Sequence, residues 1–437
     1  MSNLVGQIIS VRGLIVTIKC LGQSPAIRSI LNIEEDQTVK LVVLNQGTEN
    51  TVQVLNLAQD SNIILGQSVV LNQSSLEIPV GINTLGRIFN ALGETIDAKE
   101  EISDVQKVPV ESVLANEHYE GETNNSIIET GIKVIDFFTP FVRGRKIGII
   151  GGAGVGKTVL VTEIMHNVCR NDKGITFFVG IGERIREAHE LYETLKAQSL
   201  LGNTVMYLGQ MNETAAMRSL SGISAAAAAR WWRDVHKKDV LFFVDNIYRY
   251  LQAQNELSTM LGQPSSEGGY QPALFSDLAR FQEGLGSNSN GSITSVQSIF
   301  VPADDTSDPA VVEIYEQLDS VIVLSRDIME SGILPAVDLI ESNSSLLSVD
   351  FIGERHALLV SRVQKIIEKY NHLQGIITII GETELSLEDR ADYQKAKQLI
   401  EFFTQPLFVT EALTGVNGQY VSRDNTLAGV EEILTGN

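Results

Sequence analysis

Hydrophobic and polar positions are arranged in three different ways along the chain, and these patterns divide it into three regions. Residues 1–78 carry short β-branched runs separated by Gly, Asn, Gln and Ser, which predict a small all-β domain, either a barrel or a sandwich. In residues 79–335, short apolar runs alternate with helical stretches, as is typical of a mainly parallel α/β sheet. Residues 336–437 have a helical pattern and predict a helical domain.

The apolar runs also predict the bounds of the individual elements. The predicted strands of the first region are Gln7–Val11, Leu14–Lys19, Val39–Leu44 and Thr51–Leu57. Those of the second are Ile147–Ile150, Ile175–Gly180, Val205–Leu208, Val240–Asp245, Ile293–Phe300 and Val321–Leu324. The predicted helices are Lys157–Arg170, Arg184–Gln198, Ala215–Val235, Arg355–Leu373 and Leu387–Phe403. A capping signal at Ser386 and Asp389 precedes the last of these helices.

Length and composition exclude several classes of protein. A chain of 437 residues is too long for one hydrophobic core. A formal net charge of −21 argues against nucleic acid or an anionic bilayer as the main partner. Cys20 and Cys169 stand far apart, so neither a disulfide framework nor a zinc site is indicated, and a reducing compartment is expected. No apolar run is long enough to span a bilayer and no leader pattern is present, so we expect the chain to work where it is made.

The strongest chemical signal is a glycine-rich segment between a predicted strand and a predicted helix. It matches the phosphate-binding pattern G-x-x-x-x-G-K-[ST], in which backbone N–H groups and the helix N-terminus face the phosphates. Lys157 is expected to reach the β and γ phosphates, and the Thr158 hydroxyl to ligate Mg²⁺. The residues expected to bind the nucleotide here are Gly151, Gly152, Ala153, Gly154, Val155, Gly156, Lys157, Thr158 and Val159.

Two carboxylates at the ends of later strands fit the same chemistry. Asp245 ends an apolar strand, where a carboxylate can hold Mg²⁺ through water. Glu183 follows the strand that begins at Ile175 and is placed to accept a proton from an attacking water. Spacing alone leaves a second interpretation open, in which Glu183 is a first-turn residue favoured by the helix dipole.

Several motifs in a fixed order make the sequence resemble the β-subunit family of F-type rotary ATP synthases, from about Gly6 to Ile433. The motifs that carry the resemblance are Gly151–Thr158, Gly182–Glu187, Gln210–Glu213, Asp245–Arg249, Val301–Asp305, Thr84–Asn90, Gly131–Asp136 and Pro335–Asp338. The resemblance implies an N-terminal β-barrel, a central RecA-like nucleotide domain with a mainly parallel sheet, and a C-terminal helical domain. It also implies an α-type partner that alternates with this chain in a hexameric ring, a central γ-type stalk and a membrane ion-channel sector.

The resemblance further implies roles for individual side chains. Lys157 would contact the phosphates of ATP or ADP, and Thr158 the Mg²⁺. Glu183 would position the attacking water as general base, a role that the non-catalytic α paralogue lacks. Arg184 and Arg249 would contact the γ-phosphate or released phosphate, while Asp245 and Glu187 would act near the metal through water. The transition-state arginine would come from the neighbouring α subunit.

The adenine site departs from the family pattern. The family places aromatic rings at positions that here correspond to Leu334, Leu407 and Leu413, which are therefore the expected base-binding residues. Loss of stacking would weaken or broaden base recognition. The alternative is that the leucines bury the adenine face well enough by apolar contact. Phe300 keeps one aromatic ring, and Phe408 is a candidate replacement.

Other departures fall in segments expected to face partners. Thr214–Arg218 lacks the two prolines of the family, and Gly284 replaces an arginine. The loop expected to touch the stalk, Thr383–Asp389, has fewer carboxylates, and the chain ends soon after Ile433 and Leu434, earlier than in a typical member. These changes favour a diverged member and place its coupling to rotation in question.

The expected function is ATP synthesis or hydrolysis by a catalytic ring subunit. Two alternatives stay open: a specialised hexameric ATPase, either a diverged paralogue or of the secretion type, and a structural subunit that holds nucleotide without turnover. The expected location is the cytoplasmic face of a bacterial plasma membrane, or an inner or thylakoid membrane if an organelle encodes the chain.

Overall fold

The computed structural model describes residues 4–58, 62–102, 104–110, 125–171, 174–263, 269–271, 273–302, 305–380 and 385–436. The chain forms two compact units. Unit 1 consists of Met1–Tyr119 and Ile175–Gly286, and unit 2 of Glu120–Gly174 and Ser287–Asn437.

The strands and helices are defined as follows. The strands are β1 (Leu4–Arg12), β2 (Ile15–Cys20), β3 (Ile30–Ile33), β4 (Lys40–Gln46), β5 (Thr51–Asn56), β6 (Ser68–Gln73), β7 (Glu77–Val80), β8 (Ile88–Phe89), β9 (Gln106–Pro109), β10 (Ile127–Ile128), β11 (Phe141–Val142), β12 (Lys146–Gly151), β13 (Ile175–Glu183), β14 (Thr204–Gln210), β15 (Val240–Asp245), β16 (Ile293–Phe300), β17 (Ser320–Val323) and β18 (Asn343–Ser344). The helices are α1 (Lys133–Phe138), α2 (Lys157–Asn171), α3 (Ile185–Ala197), α4 (Ala215–His236), α5 (Ile247–Met260), α6 (Ala273–Gly284), α7 (Pro309–Glu316), α8 (Arg326–Glu330), α9 (Val349–Ile352), α10 (Glu354–Ile380), α11 (Leu387–Phe403), α12 (Glu411–Thr414) and α13 (Arg423–Thr435).

Unit 1 begins with a closed six-stranded barrel in the order β1-β2-β5-β4-β3-β6. Alternate side chains of these strands point inward, and Val16, Ile18, Leu41 and Val54 are fully buried there. The structure therefore selects the barrel over the sandwich. The predicted strands of this region are confirmed, whereas β3 and β6 were not predicted.

The rest of unit 1 is an α/β arrangement of parallel strands in the order β15-β13-β14-β8. Helix α4 packs on β13 and β14, and its alanines at 225–229 are buried because small side chains let the helix approach the sheet closely. The Thr214 hydroxyl caps this helix by accepting the N–H of Met217 at 3.4 Å. Thr214, the residue at which a proline was expected from the resemblance, therefore begins the helix with a side-chain cap.

Unit 2 contains the parallel strands β16, β12 and β17, with β18 antiparallel at the edge next to β17. Its C-terminal part is helical, as predicted. Lys369 of α10 forms ion pairs with Asp389 and Asp392 of α11 at 2.8 and 2.7 Å. Ser386 caps α11 as its sequence signal indicated, since its hydroxyl accepts the N–H of Asp389 at 3.1 Å.

The fold class predicted from the sequence is confirmed: a closed N-terminal barrel, a central α/β region with mostly parallel strands and a helical C-terminal region. Helix α10 continues to Ile380, beyond the predicted end at Leu373. Ala303, Asp304, Thr383 and Glu384, which belong to two of the motifs, lie outside the described residues. In the part of the chain that the structure describes, no helix is long and apolar enough to cross a membrane.

Candidate functional site

The glycine-rich segment of unit 2 links β12 to α2 and has the backbone of a phosphate loop. Gly154 and Gly156 have φ values of +77° and +93°, which side-chain-bearing residues rarely adopt. A Cβ atom on Gly151 would lie 2.7 Å from Cγ2 of Val155, so this position has no room for a side chain. The glycines of the pattern are therefore required by backbone conformation and close packing.

Two cations contact the carbonyl groups of this loop. Lys157 Nζ donates to the carbonyl oxygen of Gly151 at 2.6 Å and also to that of Gly152, and it lies 5.6 Å from the ring centre of Phe300. Arg326, the first residue of α8, donates to the carbonyl oxygen of Ala153 at 2.9 Å. These contacts engage the carbonyl groups of the loop, while the first N–H groups of α2 have no partner within the helix and are suited to bind an anion.

Thr158 is exposed in the first turn of α2, the position from which its hydroxyl can ligate a metal carried by a nucleotide. Among the described residues, no group of three or more His, Cys, Asp and Glu side chains is arranged to hold a metal ion by itself. Magnesium is usually held by one or two protein oxygens together with substrate phosphates and water. The hydroxyl of Thr158 in unit 2 is an oxygen donor of the kind that this ion prefers, and so, within unit 1, are the carboxylates of Asp245 and Glu187.

Unit 2 also has an apolar cavity of about 300 Å³ that the phosphate loop borders. Its aliphatic lining includes Val155, Val159, Leu160, Leu324, Leu334 and Leu407. None of the described residues that line it is aromatic. Leu407 is 5% exposed and Leu334 46% exposed, so one leucine is part of the inner wall and the other lies at the rim.

Leu413 has a different environment from the other two leucines. It lies on the short helix α12, is 87% exposed and does not line the cavity. Phe408 does not line it either; its ring packs 5.0 Å from that of His166 on α2. Of the three leucines predicted to contact the base, the structure brings Leu334 and Leu407 to the cavity and leaves Leu413 at the surface.

The polar side chains that line the cavity donate to backbone carbonyl groups. Thr404 donates to Ile400, Thr410 to Leu407 and Thr414 to Thr410, at 3.2, 3.0 and 3.0 Å. Gln405 donates to Gly131 and Gln419 at 2.8 and 2.6 Å. The cavity therefore presents mainly aliphatic surface, and its side-chain donors are committed to the protein.

The other predicted site residues lie in unit 1, at the carboxyl ends of β13 and β15. The strand register pairs Gly180 with Asp245, so both strands end at the same edge. Gly182 has a φ of +68°, and a Cβ there would lie 2.6 Å from Cδ of Arg249. This glycine turns the chain at Glu183 and leaves room for the arginine beside it.

Asn246 fixes the start of the helix that carries Arg249. Its side-chain oxygen accepts the N–H groups of Tyr248 and Arg249 at 2.9 and 3.3 Å. Arg249 lies in the first turn of α5, directly after the strand that ends at Asp245. The local sequence Asp-Asn-x-x-Arg thus places a carboxylate and a guanidinium group at one strand end.

Burial raises the pKa of Glu183 well above its usual range, and the negative charge of Asp245 and a hydrogen bond to Glu187 act in the same direction. The positive charge of Arg249 opposes them. Arg184 is exposed and lies 4.0 Å from Glu187. Unit 1 therefore brings Glu183, Glu187, Asp245 and Arg249 together, and burial and the neighbouring carboxylates favour the protonated form of Glu183.

Sequence reasoning did not identify two polar residues that support the candidate sites: Arg326 at the phosphate loop of unit 2 and Asn246 at the start of α5 in unit 1. Arg326 had no motif to identify it, because its contact with the loop joins residues far apart in the chain. The asparagine after Asp245 is a recognisable capping signal that predicts the start of α5.

Models of known protein families match two parts of the chain. Residues 131–344 match the nucleotide-binding domain of the ATP synthase alpha/beta family. Residues 348–423 match the C-terminal domain of V and A type ATP synthase. The first range includes the phosphate loop, Glu183, Asp245 and Arg249.

Proposed function

The nucleotide-binding domain of this chain belongs to the ATP synthase alpha/beta family, and on this premise we propose that the chain is the catalytic β subunit of a rotary F-type ATP synthase. It makes ATP from ADP and phosphate when an ion gradient drives rotation, or hydrolyses ATP in the reverse direction. The observation that carries the proposal is the half-buried Glu183 at the end of β13, with Asp245 and Arg249 beside it.

The phosphates are assigned to the loop of unit 2. Lys157 binds the β and γ phosphates as a flexible point charge, and the glycines let the backbone approach them. Magnesium, when bound with the nucleotide, would be held by the Thr158 hydroxyl, with Asp245 and Glu187 acting through water, and would neutralise charge on the phosphates. The hard oxygen donors of these side chains fit that ion.

The proton transfer is assigned to Glu183. Hydrolysis requires a water that is oriented toward the γ-phosphate and loses a proton as it attacks. Glu183 can accept that proton once nearby positive charge, from Arg249 and from a cation bound with the nucleotide, lowers its raised pKa. Arg249 stabilises the charge of the phosphate group, and Arg184 has the same role in this proposal. The stabilising arginine from a neighbouring α subunit would complete the site.

The assembly is also part of the proposal. An α-type subunit would alternate with this chain in a hexameric ring around a γ-type stalk, and the ring would be attached to a membrane ion-channel sector. The match of residues 348–423 supports a V or A type assembly as the second candidate. Purification of the chain from its native membrane, with identification of every co-purified subunit, distinguishes the two types.

The test of catalysis is turnover of ATP by the chain in complex with its native partners. We expect Glu183→Gln to lower turnover at least ~100-fold while Mg–ATP still binds, because the amide cannot accept the proton. Glu190→Gln is the matched control, since Glu190 lies on α3 with a 68% exposed side chain that pairs with Arg186. Unchanged turnover in Glu183→Gln would remove the general-base role. Absence of turnover in the unmodified complex would instead favour a structural subunit that holds nucleotide.

A further inference from the structure

The phosphate-loop helix α2 carries a fully buried carboxylate to which the proposed chemistry gives no role. Glu163 has no solvent exposure, a condition in which carboxylates are found only when their oxygens are bonded. Its Oε2 accepts the backbone N–H of Val409 at 3.0 Å, and its Oε1 accepts Nδ2–H of Asn167 at 3.2 Å. One of these bonds joins residues that are far apart in the chain.

The segment bonded by Glu163 is part of the cavity wall. It forms a tight turn at Phe408–Thr410, which Leu407 directly precedes. Leu407 and Thr410 line the cavity. The two residues between them contact α2 instead: Phe408 packs against His166, and Val409 donates to Glu163. The turn therefore presents one side to the cavity and is attached to α2 by the other.

Helix α2 itself supplies a second part of the same cavity. Val159 and Leu160 line it, and Glu163 follows them by about one helical turn. The distance between the two parts of the lining thus depends on how the turn is attached to α2.

The carboxylate of Glu163 is itself held in place. Asn167 Nδ2 donates to the carbonyl oxygen of Thr130 at 2.9 Å as well as to Glu163, and its Oδ1 lies 3.1 Å from Nδ1 of His166. Asn167 and His166 are 2% and 5% exposed. A buried carboxylate whose two oxygens each accept a hydrogen bond favours one geometry, because each lost partner would leave a desolvated polar atom.

We propose that Glu163 is a positioning residue that attaches the cavity wall to the phosphate-loop helix and thereby determines the affinity for the nucleoside part of a nucleotide. The proposal rests on nucleotide binding by this chain, as proposed above. The phosphates are bound at the N-terminal end of α2, at Gly151–Thr158, where no contact of Glu163 is involved. Loss of the bond between Glu163 and Val409 should therefore lower the affinity for the nucleoside and leave the affinity for the phosphates unchanged.

The experiment measures the affinities of the 437-residue chain for Mg–ATP and for Mg–tripolyphosphate, which has the phosphates but no nucleoside. Glu163→Gln keeps the size of the side chain but offers one acceptor oxygen to two donors. We expect the Kd for Mg–ATP to rise about tenfold in this variant, while the Kd for Mg–tripolyphosphate stays unchanged. Isothermal titration calorimetry measures both.

Thr426→Val is the matched control. Thr426 is a buried residue of α13 in the same unit, and its hydroxyl donates to the carbonyl oxygen of Ser422 at 3.1 Å, away from the cavity wall. It should lower stability without changing the ratio of the two affinities. Phe408→Leu alters the other contact of the turn with α2 and should show the same loss of affinity for Mg–ATP alone. It is the test variant if Glu163→Gln does not fold.

An equal loss of both affinities, or an unchanged affinity for Mg–ATP, in a folded variant would overturn the proposal. That outcome leaves the catalytic proposal intact, because turnover and its dependence on Glu183 are measured separately in the complex.

Discussion

The phosphate loop and the aliphatic cavity that it borders belong to the same unit, but they are built in opposite ways. The loop is contiguous in sequence, and its shape depends mainly on glycines with positive φ and on short-range contacts of Lys157, with one long-range contact from Arg326. The cavity is assembled from α2, from the segment around Leu334 and from the segment 404–416. The loop proposed to bind the phosphates is therefore specified mainly by the local sequence, and the cavity proposed to bind the base by tertiary packing.

This difference separates two kinds of recognition. The loop offers charge and backbone N–H groups, which bind any polyphosphate chain. The cavity offers aliphatic surface, with its polar side chains committed to backbone carbonyls. We therefore expect the phosphates to dominate affinity and the base to contribute through shape and burial.

The largest effect is expected from Lys157→Ala. Removal of the ammonium group takes away the charge-assisted bonds to two phosphates, so the affinities for Mg–ATP and Mg–tripolyphosphate should both fall at least ~100-fold. Titration calorimetry checks both ligands, with Lys196→Ala on α3, whose side chain is 58% exposed, as the control. A loss confined to Mg–ATP would contradict the assignment of this lysine to the phosphates.

A second effect concerns His356, a titratable residue that makes a long-range contact in the helical part of unit 2. Burial, assisted by the charge of Arg423, lowers the pKa of His356 to about 4, and its Nε2 lies 2.8 Å from the carbonyl oxygen of Phe137. As the pH falls below 6.5 the unfolded chain takes up a proton that the folded chain does not. The free energy of unfolding should therefore decrease toward pH 4 by up to about 3 kcal/mol.

Urea unfolding at several pH values measures this dependence. His356→Gln keeps a donor for the Phe137 carbonyl but does not titrate, so it should be less stable at neutral pH and lose this part of the pH dependence. The same slope in the variant would assign the effect to other groups.

A third effect tests the base end directly. Leu334 is at the rim of the cavity with space beside it, so Leu334→Tyr should add a stacking surface and strengthen binding of Mg–ATP about tenfold without changing Mg–tripolyphosphate. Leu413→Tyr is the matched control, because Leu413 is exposed and does not line the cavity. Equal gains in both variants would contradict the assignment of the base to this cavity.

The smallest effect is expected when the base itself is changed. The described polar side chains of the wall donate to backbone carbonyls, so Mg–GTP should bind only a few-fold differently from Mg–ATP. Competition between the two nucleotides for the unmodified chain measures the ratio. A large preference for either base would show that a polar group hydrogen-bonds to the base. It would contradict the view that the loop binds by charge and the cavity by apolar contact alone.

Much of the fold was predictable because its elements carry regular patterns. The strands β15 and β16 and the helix α11 have the predicted bounds, since each is a clear apolar run or an amphipathic helix with a cap. The strands β3 and β6 were missed: β3 is only four residues long and all four are buried, so it shows no alternation. Its identity as a strand depends on its neighbours in the closed barrel.

By itself, the sequence determined the phosphate loop, the strand-end residues Glu183 and Asp245, and the order of the three regions, because each depends on local spacing and on backbone conformations that particular residues permit. Only the tertiary structure decided that Leu407 faces the cavity while Leu413 faces solvent, and that Glu163 holds the wall to which Leu407 belongs. These features depend on contacts between distant segments, and side-chain direction in a short turn is set by what packs against it.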